Sequence, residues 1–96
     1  MADYRLTRRA EKDLLDIYVY GMERFGEAQA ARYHQDMSVC FELLASRPRM
    51  GRLAAAIAPG VRRHEHGSHV ILYEEDREGV LILALVHQRS VRGLKL

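Results

Sequence analysis

The chain has one cysteine, Cys40, no tryptophan and two prolines among its 96 residues. A single thiol excludes an internal disulfide and leaves no cysteine pair for zinc, so the expected compartment is the reducing cytoplasm. Long hydrophobic runs are missing too. The longest uncharged stretch of the apolar C-terminal part, Gly79 to Gln88, falls far short of the ~20 residues a membrane-spanning helix needs, so no membrane association is expected. The N-terminus, Met1-Ala2-Asp3-Tyr4-Arg5, lacks the apolar segment of a signal peptide. There is no repeat, no linker and no low-complexity tract. No glycine-rich nucleotide loop exists, and Ser68 has no acid–base pair at a recognisable spacing, so no cofactor is expected. What remains is an ordinary globular balance of 48% hydrophobic and 29% charged residues, which excludes a disordered chain. Its length suits one domain, residues 1–96.

The formal net charge is only +2, but the charges are unevenly spread. Arg47, Arg49, Arg52, Arg62 and Arg63 occupy a stretch without an acid, and so do Arg89, Arg92 and Lys95. Acids gather instead at Glu74, Glu75, Asp76 and Glu78. All basic residues except Lys12 and Lys95 are arginine, the side chain suited to forked contacts with carboxylate or phosphate. Nucleic acid, an acidic protein partner and simple compositional bias all fit this richness. The basic stretches carry no interleaved aromatics, so a base-stacking platform and sequence-specific nucleic-acid binding are not expected.

Tyr4-Arg5-Leu6 alternates as a short strand does, and Thr7 is a helix N-cap. Ala10, Leu14, Ile17, Tyr18, Gly21 and Phe25 then recur at helical spacing. Gly26 interrupts the pattern, and Ala30, Tyr33, Met37, Cys40, Phe41 and Leu44 resume it until Pro48. Two helices so closely joined should form an antiparallel hairpin. Residues 51–60 read as a loop, Val61 to His66 as a strand, Gly67-Ser68 as a two-residue turn, and His69 to Tyr73 as the next strand. Val80 to His87 is continuously apolar and so should be a central strand with both faces covered. The helices cover one face; a partner is expected to cover the other.

His64-x-His66 with His69 suggests a metal site, but a structural zinc wants four ligands and Cys40 belongs to the buried helical face, so none is expected. Metal-free RNA cleavage would need a base, an acid and cationic groups, for which His87, Tyr73, Arg62 and Arg63 are candidates. Tyr73 alternates with Ile71, which favours core packing, and His87 suits a strand-end hydrogen bond.

A series of short motifs runs through the chain in order. They are Tyr4-Arg5-Leu6-Thr7 with Ala10, Asp13-Leu14-x-x-Ile17 with Tyr20, and Gly26-x-x-Gln29-Ala30 with Tyr33. Leu44-Ala45-x-x-Pro48-x-x-Gly51, Gly60-x-Arg62, Gly67-Ser68-His69-Val70-Ile71-x-Tyr73 and Val86-His87-Gln88 follow. In this order and spacing the chain resembles the ParE toxins of the ParE/RelE toxin–antitoxin superfamily. The resemblance implies an α+β fold of order β-α-α-β-β-β, with an N-terminal strand and a helical hairpin packed on a small antiparallel sheet. It also implies a toxin neutralised by a ParD-like antitoxin and directed at DNA gyrase without catalysis. RelE-like relatives share the fold and cut messenger RNA on the ribosome, which makes an mRNA interferase using His87, Tyr73 and arginines the alternative. Ala84 stands where many ParE toxins have arginine, and the tail Arg89-Ser90-Val91-Arg92 departs from the family's usual step.

Two surfaces are expected on this basis. The antitoxin should lay an amphipathic helix in the groove between hairpin and sheet, meeting Tyr73, Leu83 and Leu85, with Arg47, Arg49, Arg52, Arg62 and Arg63 gripping its acids. The loosely held C-terminal segment, with His87, Arg89, Arg92 and Lys95, should serve toxicity.

Overall fold

The computed structural model describes residues 3–96. Strand β1 (Asp3–Leu6) leads through Thr7 into helix α1 (Arg8–Phe25), and Gly26 alone separates α1 from helix α2 (Glu27–Ser46). Strands β2 (Arg52–Leu53), β3 (Arg62–His66), β4 (His69–Asp76) and β5 (Gly79–His87) follow, and a 3₁₀ turn spans Gln88–Ser90. Local chemistry explains the junctions. The Thr7 hydroxyl accepts from the Ala10 amide at 3.1 Å, satisfying one of the free donors of the first turn. Gly26 adopts φ +91°, a conformation costly for any residue with a Cβ, and its amide still closes α1 through the Met22 carbonyl. The hairpin is tight because Gly21 faces Ala30, where an added Cβ would come within 3.3 Å of the alanine methyl.

The sheet has the order β1-β5-β4-β3-β2. It is mixed rather than purely antiparallel: β1 joins the edge parallel to β5, with Tyr4 opposite Val80 and Leu6 opposite Ile82. The remaining neighbours are antiparallel, and the short β2, expected to be loop, pairs Arg52 with Arg63. The helices lie on one face. Ala10, Met37, Phe41 and Leu44 bury there against Ile71, Tyr73, Val80, Ile82 and Leu85.

Strict alternation along β5 fails at one place. Leu72 is opposite Ala84 and Tyr73 opposite Ile82, so Leu83 is an extra residue in β5, a bulge. The slip changes which side chains face the helices: Val80 and Ile82 do so before the bulge and Leu85 after it, whereas Ala84 and Val86 belong to the opposite face. The N-cap of α1 and one α1 side chain satisfy the disturbed ladder. The Thr7 hydroxyl donates to the Leu83 carbonyl at 2.8 Å, and the Leu85 amide donates to Asp13 Oδ2 at 3.0 Å.

The opposite face is not left for a partner. Val70, Leu72, Ala84 and Val86 pack with Ile57 and Val61, and Ala54, Ala58, Val91 and Leu94 complete the cover. The segment between β2 and β3 and the C-terminal segment are therefore this chain's own lid on its second core. That corrects the expectation of a free face.

Candidate partner-binding site

The apolar stripe of α1 is longer than the core that receives it. Only Ala10 of this helix is fully buried, while Tyr20 is 56% and Phe25 60% exposed. Beyond the covered part, a groove of about 560 Å³ lies between the helical hairpin and the end of the sheet. Leu14, Ile17, Phe25, Ala30 and Met37 form its walls. Its floor is polar, with Ser68 from the β3–β4 turn, His69 at the start of β4 and His87 at the end of β5. A larger but shallower concavity of about 930 Å³ lies along β1, between Leu6, Leu14, Leu15, Tyr18 and His34.

The floor is an aromatic and imidazole cluster. His69 is opposite both His66 and His87 in the sheet, with 5.6 Å between the His69 and His87 rings. Tyr33 reaches down from α2, its hydroxyl donating to the His66 carbonyl at 3.0 Å and lying 2.7 Å from His69 Nδ1. Burial pushes the Tyr33 hydroxyl above its usual range, partly offset by a backbone bond from Ser68. His69 is held below the ordinary histidine value, first by burial and then by the neighbouring His87 and His66. His87 Nδ1 accepts from the Arg89 amide at 3.1 Å, capping the 3₁₀ turn. Among the described residues no three of His, Cys, Asp or Glu stand where they could hold a metal ion.

The arginines expected to grip a partner divide into two groups. Arg62 is half-buried and donates to the Gly51 carbonyl at 2.7 Å, and Arg63 pairs with Glu65 at 3.1 Å, so both are committed within the chain. Arg47, Arg49 and Arg52 are exposed. Arg49 lies 3.5 Å from Glu75 and Arg52 3.0 Å from Glu65, surface pairs that a partner's carboxylate can replace at little cost.

Tyr73 and Leu85, expected at the antitoxin surface, lie inside the core. Leu85 is buried under the helices, and Tyr73 is fully buried. The Tyr73 hydroxyl donates to the Pro48 carbonyl at 2.7 Å and accepts from the Gly51 amide at 2.9 Å, so it staples the loop after α2 to the sheet. Burial pushes this hydroxyl up as well, with the Gly51 bond and Arg62 acting against it. Tyr73 and His87 do not form one constellation: Tyr73 lies four positions along β4 from His69, the partner of His87, or about 13 Å. Leu83, at the bulge, is half-buried on the second face.

The tail is docked, contrary to its expected looseness. Val91 and Leu94 pack on the second core, the Leu96 amide donates to the Ile57 carbonyl at 3.0 Å, and Lys95 Nζ donates to the Ala56 carbonyl at 2.8 Å. Lys95 is thus a tether, while Arg89 and Arg92 remain exposed on it. The residues sequence reasoning missed are Tyr33 and His69 as groove floor. The helical spacing of Tyr33 placed it in the core, and nothing local in the sequence shows that it meets the β3–β4 turn.

The architecture, an α-helical hairpin on a five-stranded mixed sheet, matches that of a solved structure described as the chromosomal ParDE TA system from P. aeruginosa. The match has a TM-score of 0.76 and 24% identity, and covers 91% of this chain and 96% of that one. The sequence matches the model of the ParE toxin of the type II toxin–antitoxin system parDE over residues 4–92. It is 41% identical over 90 residues to Toxin ParE1 of Caulobacter vibrioides, covering 92% of this chain and 91% of the relative. Toxin ParE1 of Mycobacterium tuberculosis is 32% identical over 87 residues, with 90% and 89% covered. The chain belongs to the ParE toxin family of type II toxin–antitoxin systems.

Proposed function

We propose that this ParE toxin acts in the cytoplasm by binding DNA gyrase, without catalysis of its own, and is silenced by a ParD-like antitoxin that lays an amphipathic helix in the groove between the helical hairpin and the sheet. The observation that carries the antitoxin part is the unfinished apolar stripe of α1, where Tyr20 and Phe25 stand exposed at the rim of a largely apolar groove. Covering such a surface is worth roughly 25 cal/mol per Å² of apolar area, and the geometry suits a helix reading out i, i+3 and i+4 anchors. Arg47, Arg49 and Arg52 add an exposed basic border for acids flanking that helix. The target side is assigned to Arg89 and Arg92, which the docked tail presents in a fixed place.

Co-expression with the product of the adjacent reading frame tests this. A tight complex is expected, weakened at least tenfold by Phe25→Glu or Tyr20→Glu, substitutions at exposed positions that leave the fold intact. A complex indifferent to both would place the antitoxin elsewhere.

A further inference from the structure

Among the described residues, none on the floor of the groove supplies a counter-charge. His66, His69 and His87 sit together, and the groups facing them from each packed element are few. Helix α2 contributes Tyr33 and His34, the turn contributes Ser68, and α1 contributes Tyr18, Tyr20 and a single carboxylate, Asp16. Asp16 is exposed at the rim and engaged by Lys12 Nζ at 2.7 Å. The Tyr33 hydroxyl carries one proton yet faces two acceptors, the His66 carbonyl at 3.0 Å and His69 Nδ1 at 2.7 Å. Both contacts are satisfied together when Tyr33 donates to the carbonyl and His69 Nδ1 carries a proton of its own. If Nε2 is protonated as well, its N–H needs an acceptor of its own. His87 has the matching arrangement: its Nδ1 already accepts from the Arg89 amide, which leaves the proton on Nε2.

We propose that the groove floor is a carboxylate-binding subsite, in which an aspartate or glutamate of the antitoxin helix is held by the imidazoles of His69 and His87. This deepens the antitoxin reading and rests on it. In the free toxin, burial and two imidazole neighbours disfavour protonation of His69. An arriving carboxylate supplies the acceptor and the opposite charge, so His69 takes up a proton as the complex forms. Binding coupled to proton uptake tightens as pH falls. Apolar walls then provide the area, and the imidazole pair fixes the register of the helix.

The experiment is calorimetric titration of the toxin with the adjacent-frame antitoxin between pH 6 and 8, each in two buffers of different ionisation enthalpy. Net proton uptake near pH 7 is expected, with Kd rising by up to about tenfold per pH unit on the alkaline side. His69→Gln should remove most of that uptake, and His87→Gln should weaken binding while keeping part of it. The wild-type measurement stands on its own should a variant fold poorly. A tight complex with the same Kd at pH 6 and pH 8 and no proton uptake would overturn the subsite while leaving the groove reading intact. Absence of any complex, or a complex insensitive to Phe25→Glu, would overturn both.

Discussion

Asp13 on α1 and Leu85 on β5 are joined by a hydrogen bond of 3.0 Å from the Leu85 amide to the carboxylate, made where the bulge at Leu83 breaks the ladder. Arg9 lies 3.5 Å from the same oxygen. The bond locks the helical hairpin to the central strand and fixes the register after which Leu85 points into the core. Asp13→Ala strands that half-buried amide and should cost about 1–3 kcal/mol. Asp13→Asn retains an acceptor and should cost less. Urea unfolding of both variants checks the order, and equal losses would mean that the bond carries no weight.

Tyr73 holds the loop after α2 through two hydrogen bonds made by one hydroxyl. Tyr73→Phe keeps the ring packing and leaves the Gly51 amide and Pro48 carbonyl without that partner, for an expected loss of about 1–3 kcal/mol. Toxicity per folded molecule should be unchanged. Abolished toxicity at full stability would instead mark this hydroxyl as functional.

The tail contributes to stability as well as presenting arginines. Leu94→Ala removes a partly buried contact from the second core and should cost about 1–2 kcal/mol, below the range for fully buried leucines. In a domain of this size that lowers Tm by roughly 5–15 °C. The paired substitution Arg89→Ala with Arg92→Ala should leave Tm within a few degrees of wild type and reduce growth inhibition. A chain ending at Gln88 should lose both properties, so scanning calorimetry and growth assays on the three variants separate packing from charge.

Free-toxin stability should fall in acid through His69. Its value in the folded chain lies below that of the unfolded chain, about 6.5, because of burial first and then His87 and His66. Above pH ~6.5 the imidazole is neutral in both states and this stabilisation is fully present; as pH falls from there through the folded value, the unfolded chain binds the proton first and stability declines. Urea midpoints at pH 7.5 and 5.5 should therefore differ more in wild type than in His69→Gln. A variant with an unchanged difference would remove His69 from the account of acid sensitivity.

Much of the fold is legible locally, because its punctuation is chemical. Thr7 caps α1, Gly26 separates the helices, and Gly67-Ser68 joins β3 to β4 as its residue types imply. Long-range choices are not legible in this way. A two-residue β2 has no periodicity to detect, and the parallel pairing of β1 with β5 connects residues more than seventy positions apart. The bulge is hidden because every residue from Val80 to Val86 is apolar, so a one-residue slip leaves the pattern unchanged. For the same reason the facing of Leu85 escaped a reading by alternation, whereas the tail's docking escaped it because Val91 and Leu94 meet a core built from residues distant in sequence. The groove was anticipated between hairpin and sheet, but its imidazole floor depends on Tyr33, His69 and His87 meeting in space.

Poisoning of gyrase by protein–protein contact, relieved by the antitoxin, is the activity we propose for this toxin. Purified gyrase, ATP and supercoiled plasmid incubated with the toxin should accumulate linear DNA, and a molar equivalent of adjacent-frame antitoxin should prevent it. Messenger RNA on ribosomes should stay intact at the same toxin concentration. Gyrase that supercoils normally beside toxin-dependent, site-specific message cleavage, lost in His87→Ala, would contradict the claim and establish the interferase reading.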